Sequence, residues 1–180
     1  MNTRWTIFAS VCLCGLSALC EEEKPDKPFI SGISIGAGIT HHDDISIYRL
    51  GVRKDSEYTF FENPTGWLSG YYEASFGCWS KQNDQVYVGA ISPVFVYYFG
   101  EPTWLVQPYI EAGIGVSCIS ETKIASRNLS TAFQFEDRVG IGIKIKYVDV
   151  SVRYMHYSNA SISDPNDGMD IFIGTVGWCF

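Results

Sequence analysis

Phe133-Gln134-Phe135-Glu136-Asp137-Arg138-Val139-Gly140-Ile141-Gly142-Ile143-Lys144-Ile145-Lys146 is the stretch that decides the fold. Phe133, Phe135, Val139, Ile141, Ile143 and Ile145 fall on alternate positions, with Gln134, Glu136, Arg138, Lys144 and Lys146 between them. A period of two marks a β-strand with one greasy and one charged face. Working outward on the same rule yields eight strands, at about 31–40, 44–53, 66–79, 85–99, 104–119, 132–146, 147–158 and 168–180. A soluble sandwich could use such strands with the apolar face as its core. Several of them, however, are long enough to cross a bilayer at a tilt. Aromatic residues also cluster at strand ends, as in Tyr97-Tyr98-Phe99, Trp104 and Trp178, and the last strand alternates through Phe172, Val176, Trp178 and Phe180. These features favour a barrel turned inside out, with apolar side chains to lipid and polar ones to the interior. The predicted fold class is all-β, an eight-stranded antiparallel up-and-down transmembrane β-barrel.

The rest of the composition agrees with one domain: 180 residues, 46% hydrophobic and 18% charged. A net charge of -7 without a clustered basic face excludes nucleic acid as a partner. The opening MNTRWTIFASVCLCGLSALC has one early cation and an apolar run ahead of Glu21-Glu22-Glu23, so residues 1–20 read as a cleaved signal peptide and 21–180 as the barrel domain. Cys20 leaves a lipoprotein reading open, against which bulky Leu19 argues. Past the leader remain Cys78, Cys118 and Cys179, an odd number that argues against a disulfide framework. No later stretch is apolar for long enough to form a membrane-crossing helix, so any span must be made of strands. An even strand number puts both termini on the periplasmic side, with short links near 100–102 and 146–147 there and longer ones near 121–130 and 159–167 outside.

Chemistry gathers near the end of the chain. His156 and Ser158 share a face of the seventh strand with Tyr154, Val152, Val150 and Val148, and this face is the lipid-facing one. Asp170 tops the corresponding row of the eighth strand, above Phe172, Gly174, Val176, Trp178 and Phe180. A Ser, a His and an acid together can activate a hydroxyl against an ester carbonyl. Ser158 would attack, His156 would carry the proton, and Asp170 would orient the imidazole. Asn159, Asn166 and backbone N–H groups of the following loop are the candidates for binding the oxyanion and positioning substrate. Spacing alone more often marks a rim that only contacts lipid headgroups, as in a non-enzymatic adhesin or structural barrel.

Other clusters read more simply. His41, His42, Asp43 and Asp44 form a solvated loop without the spacing of a closed metal site. Glu73, Glu111, Glu136 and Arg138 belong to interior rows and should pair as a polar plug, because eight strands leave little lumen. Gly36, Gly38, Gly113, Gly115, Gly140 and Gly142 lie within strands, where they relieve curvature and crowding.

His156-Tyr157-Ser158-Asn159-Ala160, then Pro165-Asn166-Asp167-Gly168, then Asp170 resemble the signature of the lipid A 3-O-deacylase family, PagL. The segment Phe133 to Gly142 is similar to the preceding strand of that family. The resemblance implies an outer-membrane barrel that hydrolyses the ester-linked acyl chain at the 3-position of lipid A, a serine esterase modifying lipopolysaccharide. It implies His156, Ser158 and Asp170 as the triad, no metal or other cofactor, and a site facing the outer leaflet of the bacterial outer membrane. Oligomeric state stays open, a homodimer included. Two positions depart from the pattern: Asp170 stands where the family usually has Glu, and Ser161 where Gly commonly follows the Asn-Ala pair.

Overall fold

The computed structural model describes residues 28–180, so the signal-peptide reading of 1–20 and the cleavage before Glu21 lie outside the described residues. Eight long strands build the wall: β1 Gly32–Thr40, β2 Ser46–Asp55, β3 Gly66–Lys81, β4 Asp84–Phe99, β5 Val106–Ile119, β6 Phe133–Ile145, β7 Val148–Ser158 and β8 Met169–Cys179. Each pairs antiparallel with its successor, and β8 returns to β1 through a register that sets Gly32 opposite Cys179 and Thr40 opposite Ile171. Closure leaves no sheet edge to solvate, which is what a lipid environment demands of strands.

Strand limits differ from the predicted ones by a few residues, each with a local cause. The second strand starts at Ser46 and not at 44, because Asp43 and Asp44 adopt left-handed φ values of 68° and 47° in the turn. The fifth starts at Val106 and not at 104, because the Trp104 N–H turns back to the Glu101 carbonyl at 3.0 Å. Three short pieces escaped the period-two rule: Phe61–Asn63, which pairs with the start of β3, and the small ladder of Lys123–Ile124 with Arg127–Asn128. Two or three residues are too few to show a period.

Outward residues such as Ile35, Leu50, Ile91, Ile114 and Ile141 are exposed, while charged side chains turn inside. Only lipid solvates such a wall well. Within the lumen the plug is a closed ion-pair network. Arg49 meets Glu73 at 3.0 Å and Glu136 at 2.8 Å, Arg138 meets the same two carboxylates at 2.9 and 2.6 Å, and Arg153 meets Glu111 at 2.6 Å. The hydroxyls of Ser92 and Tyr157 also donate to Glu136. Buried charges persist only when paired and hydrogen-bonded in this way.

The interior is less uniformly polar than the strand pattern suggested. One rim carries the links 41–45, 82–83, 120–132 and 159–168. Beneath it lies an apolar cluster that includes Ile45, Trp79, Leu129, Met155, Tyr157, Met169 and Ile171. Leu129 and Ile124 come from the 120–132 link, which folds back so that both side chains are buried in this cluster. A second cluster, Tyr71, Val94, Val96 and Tyr109, fills the opposite end. The charge network therefore lies between two apolar layers, and the loop-end layer is the floor on which the site is mounted.

Candidate active site

Arg153, Met155 and Tyr157 of β7 point inward and are buried. The Tyr157 ring meets Trp79 edge-on at 5.0 Å, and its hydroxyl donates to Glu136 at 2.6 Å. With the odd positions anchored inside, Tyr154, His156 and Ser158 must face outward. In β8, Met169, Ile171 and Ile173 are likewise buried, so Asp170 and Phe172 face outward.

Register sets His156 directly opposite Asp170, and Nδ1 of the imidazole lies 2.7 Å from Oδ1 of the carboxylate. Their side chains remain 37% and 33% exposed, at the rim of the wall. A carboxylate can only accept, so Nδ1 carries the proton and Nε2 is left as the basic nitrogen. The Tyr154 hydroxyl donates to the same Oδ1, also at 2.7 Å. Asp170 thus reaches the imidazole despite being a methylene shorter than Glu, because it is the direct cross-strand partner.

Ser158 is next along the outward row, opposite Phe135 of β6 and one residue past the last β7–β8 rung at Tyr157 and Met169. Among the described residues no hydrogen bond joins it to His156. The structure brings His156 and Asp170 together and places the Ser158 hydroxyl two residues along the same face. A second acidic residue shares this rung: Asp137 of β6 is the cross-strand partner of His156 on its other side. Sequence reasoning passed over Asp137, although its odd number puts it in the greasy row between Phe135 and Val139, where a charge is out of place.

The loop 159–168 is built from the inside. Asn159 is fully buried, and its Nδ2 donates to the carbonyls of Leu129 and Ser163, both at 2.9 Å. Its backbone N–H donates to Oδ1 of Asn166 at 3.2 Å. The Asn159 amide thus falls on an inward row and serves as a brace, while Asn166 keeps Nδ2 as a donor. Ala160 and Ser161 take left-handed φ values of 51° and 63°, so Ser161 holds the conformation that Gly commonly supplies.

Gly168, also left-handed at φ 63°, closes the loop against the imidazole. A Cβ there would sit 3.0 Å from Cε1 and 3.6 Å from Nε2 of His156. Neighbouring loops are tied to the same place. Arg127 bridges Asp43 at 3.1 Å and the Asp167 carbonyl at 3.1 Å, the Asp167 carboxylate accepts from the Asn128 N–H at 2.7 Å, and the His41 N–H donates to the Asp170 carbonyl at 2.9 Å. The Ser126 hydroxyl, hydrogen-bonded to Asp43, and the Arg127 guanidinium together hold the Asp43 carboxyl below its ordinary range. Asp43 therefore serves the loop network.

Comparison with known proteins gives consistent matches. Residues 46–179 match the family model described as lipid A 3-O-deacylase (PagL). The lipid A deacylase PagL of Pseudomonas aeruginosa is 37% identical over 143 residues, which cover 78% of this chain and 81% of that protein. That of Bordetella bronchiseptica is 38% identical over 93 residues, 51% of this chain and 49% of the relative. A crystal structure of the outer membrane enzyme PagL superimposes with a TM-score of 0.78 at 34% identity, over 83% of this chain and 100% of that one. With its closed eight-stranded barrel and a family match spanning most of its length, this chain belongs to the lipid A 3-O-deacylase (PagL) family.

Proposed function

We propose that the protein is an outer-membrane lipid A 3-O-deacylase that cleaves its substrate with Ser158, His156 and Asp170. Family membership supports the reaction, and the 2.7 Å contact between His156 and Asp170 supports the machinery. In this reading a rotation of the Ser158 side chain brings Oγ to Nε2 of His156. Oγ attacks the ester carbonyl as Nε2 takes its proton. The tetrahedral intermediate collapses, the C–O bond to the sugar breaks, and the imidazolium returns the proton to the leaving alcohol. Water then hydrolyses the acyl-serine by the same proton path, releasing the fatty acid. Asp170 keeps the proton on Nδ1 and stabilises the imidazolium. Asn166 Nδ2 and loop N–H groups beyond Asn159 would donate to the oxyanion, and Asn159, whose own N–H is taken by Asn166 Oδ1, would act by bracing the loop that carries them.

The site lies on the outward rows of β7 and β8, so lipid A would arrive sideways from the membrane. The rim bearing the 120–132 and 159–168 loops would face the cell exterior and the outer leaflet, with residues 1–20 serving as the export signal. Mass spectrometry of lipid A from cells expressing the parent and Ser158→Ala tests the reading. The parent should yield lipid A lighter by one 3-linked hydroxyacyl chain, and the variant should not. Identical spectra from the two would show that Ser158 is not the nucleophile.

A further inference from the structure

We propose that Tyr154 is a positioning residue for the catalytic acid, holding the Asp170 carboxylate in the orientation His156 requires. This rests on the triad reading given above and adds a fourth member to it.

Three observations carry the inference. The Tyr154 hydroxyl donates to Oδ1 of Asp170 at 2.7 Å, and the same oxygen accepts from His156 at 2.7 Å. One carboxylate atom is therefore fixed from two directions by two side chains of a single strand. Tyr154 is itself held: it lies opposite Phe172, whose ring it meets at 5.3 Å between centroids and 58° between planes. Finally, Tyr154 stands in the lipid-facing row above Val152, where a hydroxyl needs a partner within the protein, and Asp170 supplies it.

The need for such a residue follows from the length of the acid. Asp170 stands on the rung directly across from His156, and about a third of its side chain is exposed. Rotation about its first side-chain torsion would swing the carboxylate away from the imidazole toward solvent. A second donor on the oxygen that already faces His156 opposes that rotation, because swinging away would break two hydrogen bonds. Tyr154 contacts neither the attacking oxygen nor the scissile bond in the proposed chemistry, so its effect passes through Asp170 alone.

An ordinary interfacial aromatic would occupy the same position for its ring and not for its hydroxyl. Tyr154→Phe, Asp170→Asn and the double variant, assayed as full-length protein on lipid A in mixed micelles, separate these roles. Tyr154→Phe should lower kcat about tenfold, the scale expected for one charge-assisted hydrogen bond, with KM within about twofold. Added to Asp170→Asn, it should cost less than about a further twofold, since the residue it acts through has already been changed. Labelling of Ser158 by a fluorophosphonate, which bypasses substrate binding, should slow in parallel.

Parental kcat in Tyr154→Phe, or losses that multiply in the double variant, would overturn the proposal. If Asp170→Asn is inactive while Tyr154→Phe is fully active, the role of Tyr154 alone falls. If Asp170→Asn is itself fully active, the acid has been misassigned and both readings fall. Heat-modifiable gel mobility confirms that each variant is a folded barrel before its rate is read.

Discussion

Asp170 and Asp137 occupy the two rungs that flank His156, one on β8 and one on β6, yet only Asp170 reaches the imidazole, at 2.7 Å. Asp170→Asn should therefore lower deacylation by about a thousandfold or more, the scale at which losing the orienting acid costs a serine hydrolase. Asp137→Asn should stay within about tenfold of the parent, since it removes no hydrogen bond to the imidazole. Lipid A turnover measured on both variants checks this, and a reversed order would move the acid from β8 to β6.

Gly168 is constrained twice, by its φ of 63° and by the imidazole against which it packs. Gly168→Ala should displace the His156 ring by a few tenths of an ångström relative to the Asp170 carboxylate and should also cost about 1 kcal/mol for a left-handed residue bearing a Cβ. Activity is expected to fall while the barrel still folds, which heat-modifiable gel mobility would verify.

Ser161→Gly should have the opposite sign. Ser161 already holds φ at 63°, so glycine removes strain without changing the path of the loop. Loop 159–168 should become more protected from proteolysis, and turnover should equal or exceed that of the parent.

Asp43 gives the loop network its pH dependence. Its carboxyl is held below the usual value first by the Ser126 hydroxyl and then by Arg127. A lowered folded pKa stabilises the tether above the ordinary carboxylate value of about 3.9, and that stabilisation is lost as pH falls through the folded value. Protection of amides in the 120–132 loop, taken relative to their intrinsic exchange rates, should thus be high at neutral pH and fall below about pH 4. Asp43→Asn should show the lower protection already at neutral pH.

The lumen should tolerate imbalance poorly. Arg138 pairs with both Glu73 and Glu136, and Arg138→Met would leave those buried carboxylates short of a partner. A loss of about 3 to 5 kcal/mol is expected, read as a lower urea midpoint for unfolding from detergent or vesicles.

Most of the wall was legible from alternation, because a strand with lipid on one side and ion pairs on the other has a period that fourteen residues such as 133–146 display plainly. The same parity placed His156, Ser158 and Asp170 on outward rows, where the structure has them. What alternation could not reveal was anything set by tertiary packing. The apolar layer under the loops arises because Leu129 and Ile124 fold back over the mouth, a path that the residues of that loop do not encode by period. Alternation also does not reveal that the Asn159 side-chain amide donates to the carbonyls of Leu129 and Ser163. The Tyr154 hydroxyl depends on the diagonal across two strands, which requires the register as well as the parity.

The filled lumen has a kinetic meaning. Arg49, Glu73, Glu136 and Arg138 pair inside the barrel among the described residues, so a site on the outer wall, as proposed, would exchange substrate and both products within a single leaflet. For such an enzyme the governing concentration is the surface fraction of lipid A and not its amount per volume. Crowding, lipid packing and lateral diffusion would then set how often the proposed nucleophile Ser158 meets an ester, and diluting lipid A with inert lipid should slow turnover even when its bulk concentration is unchanged.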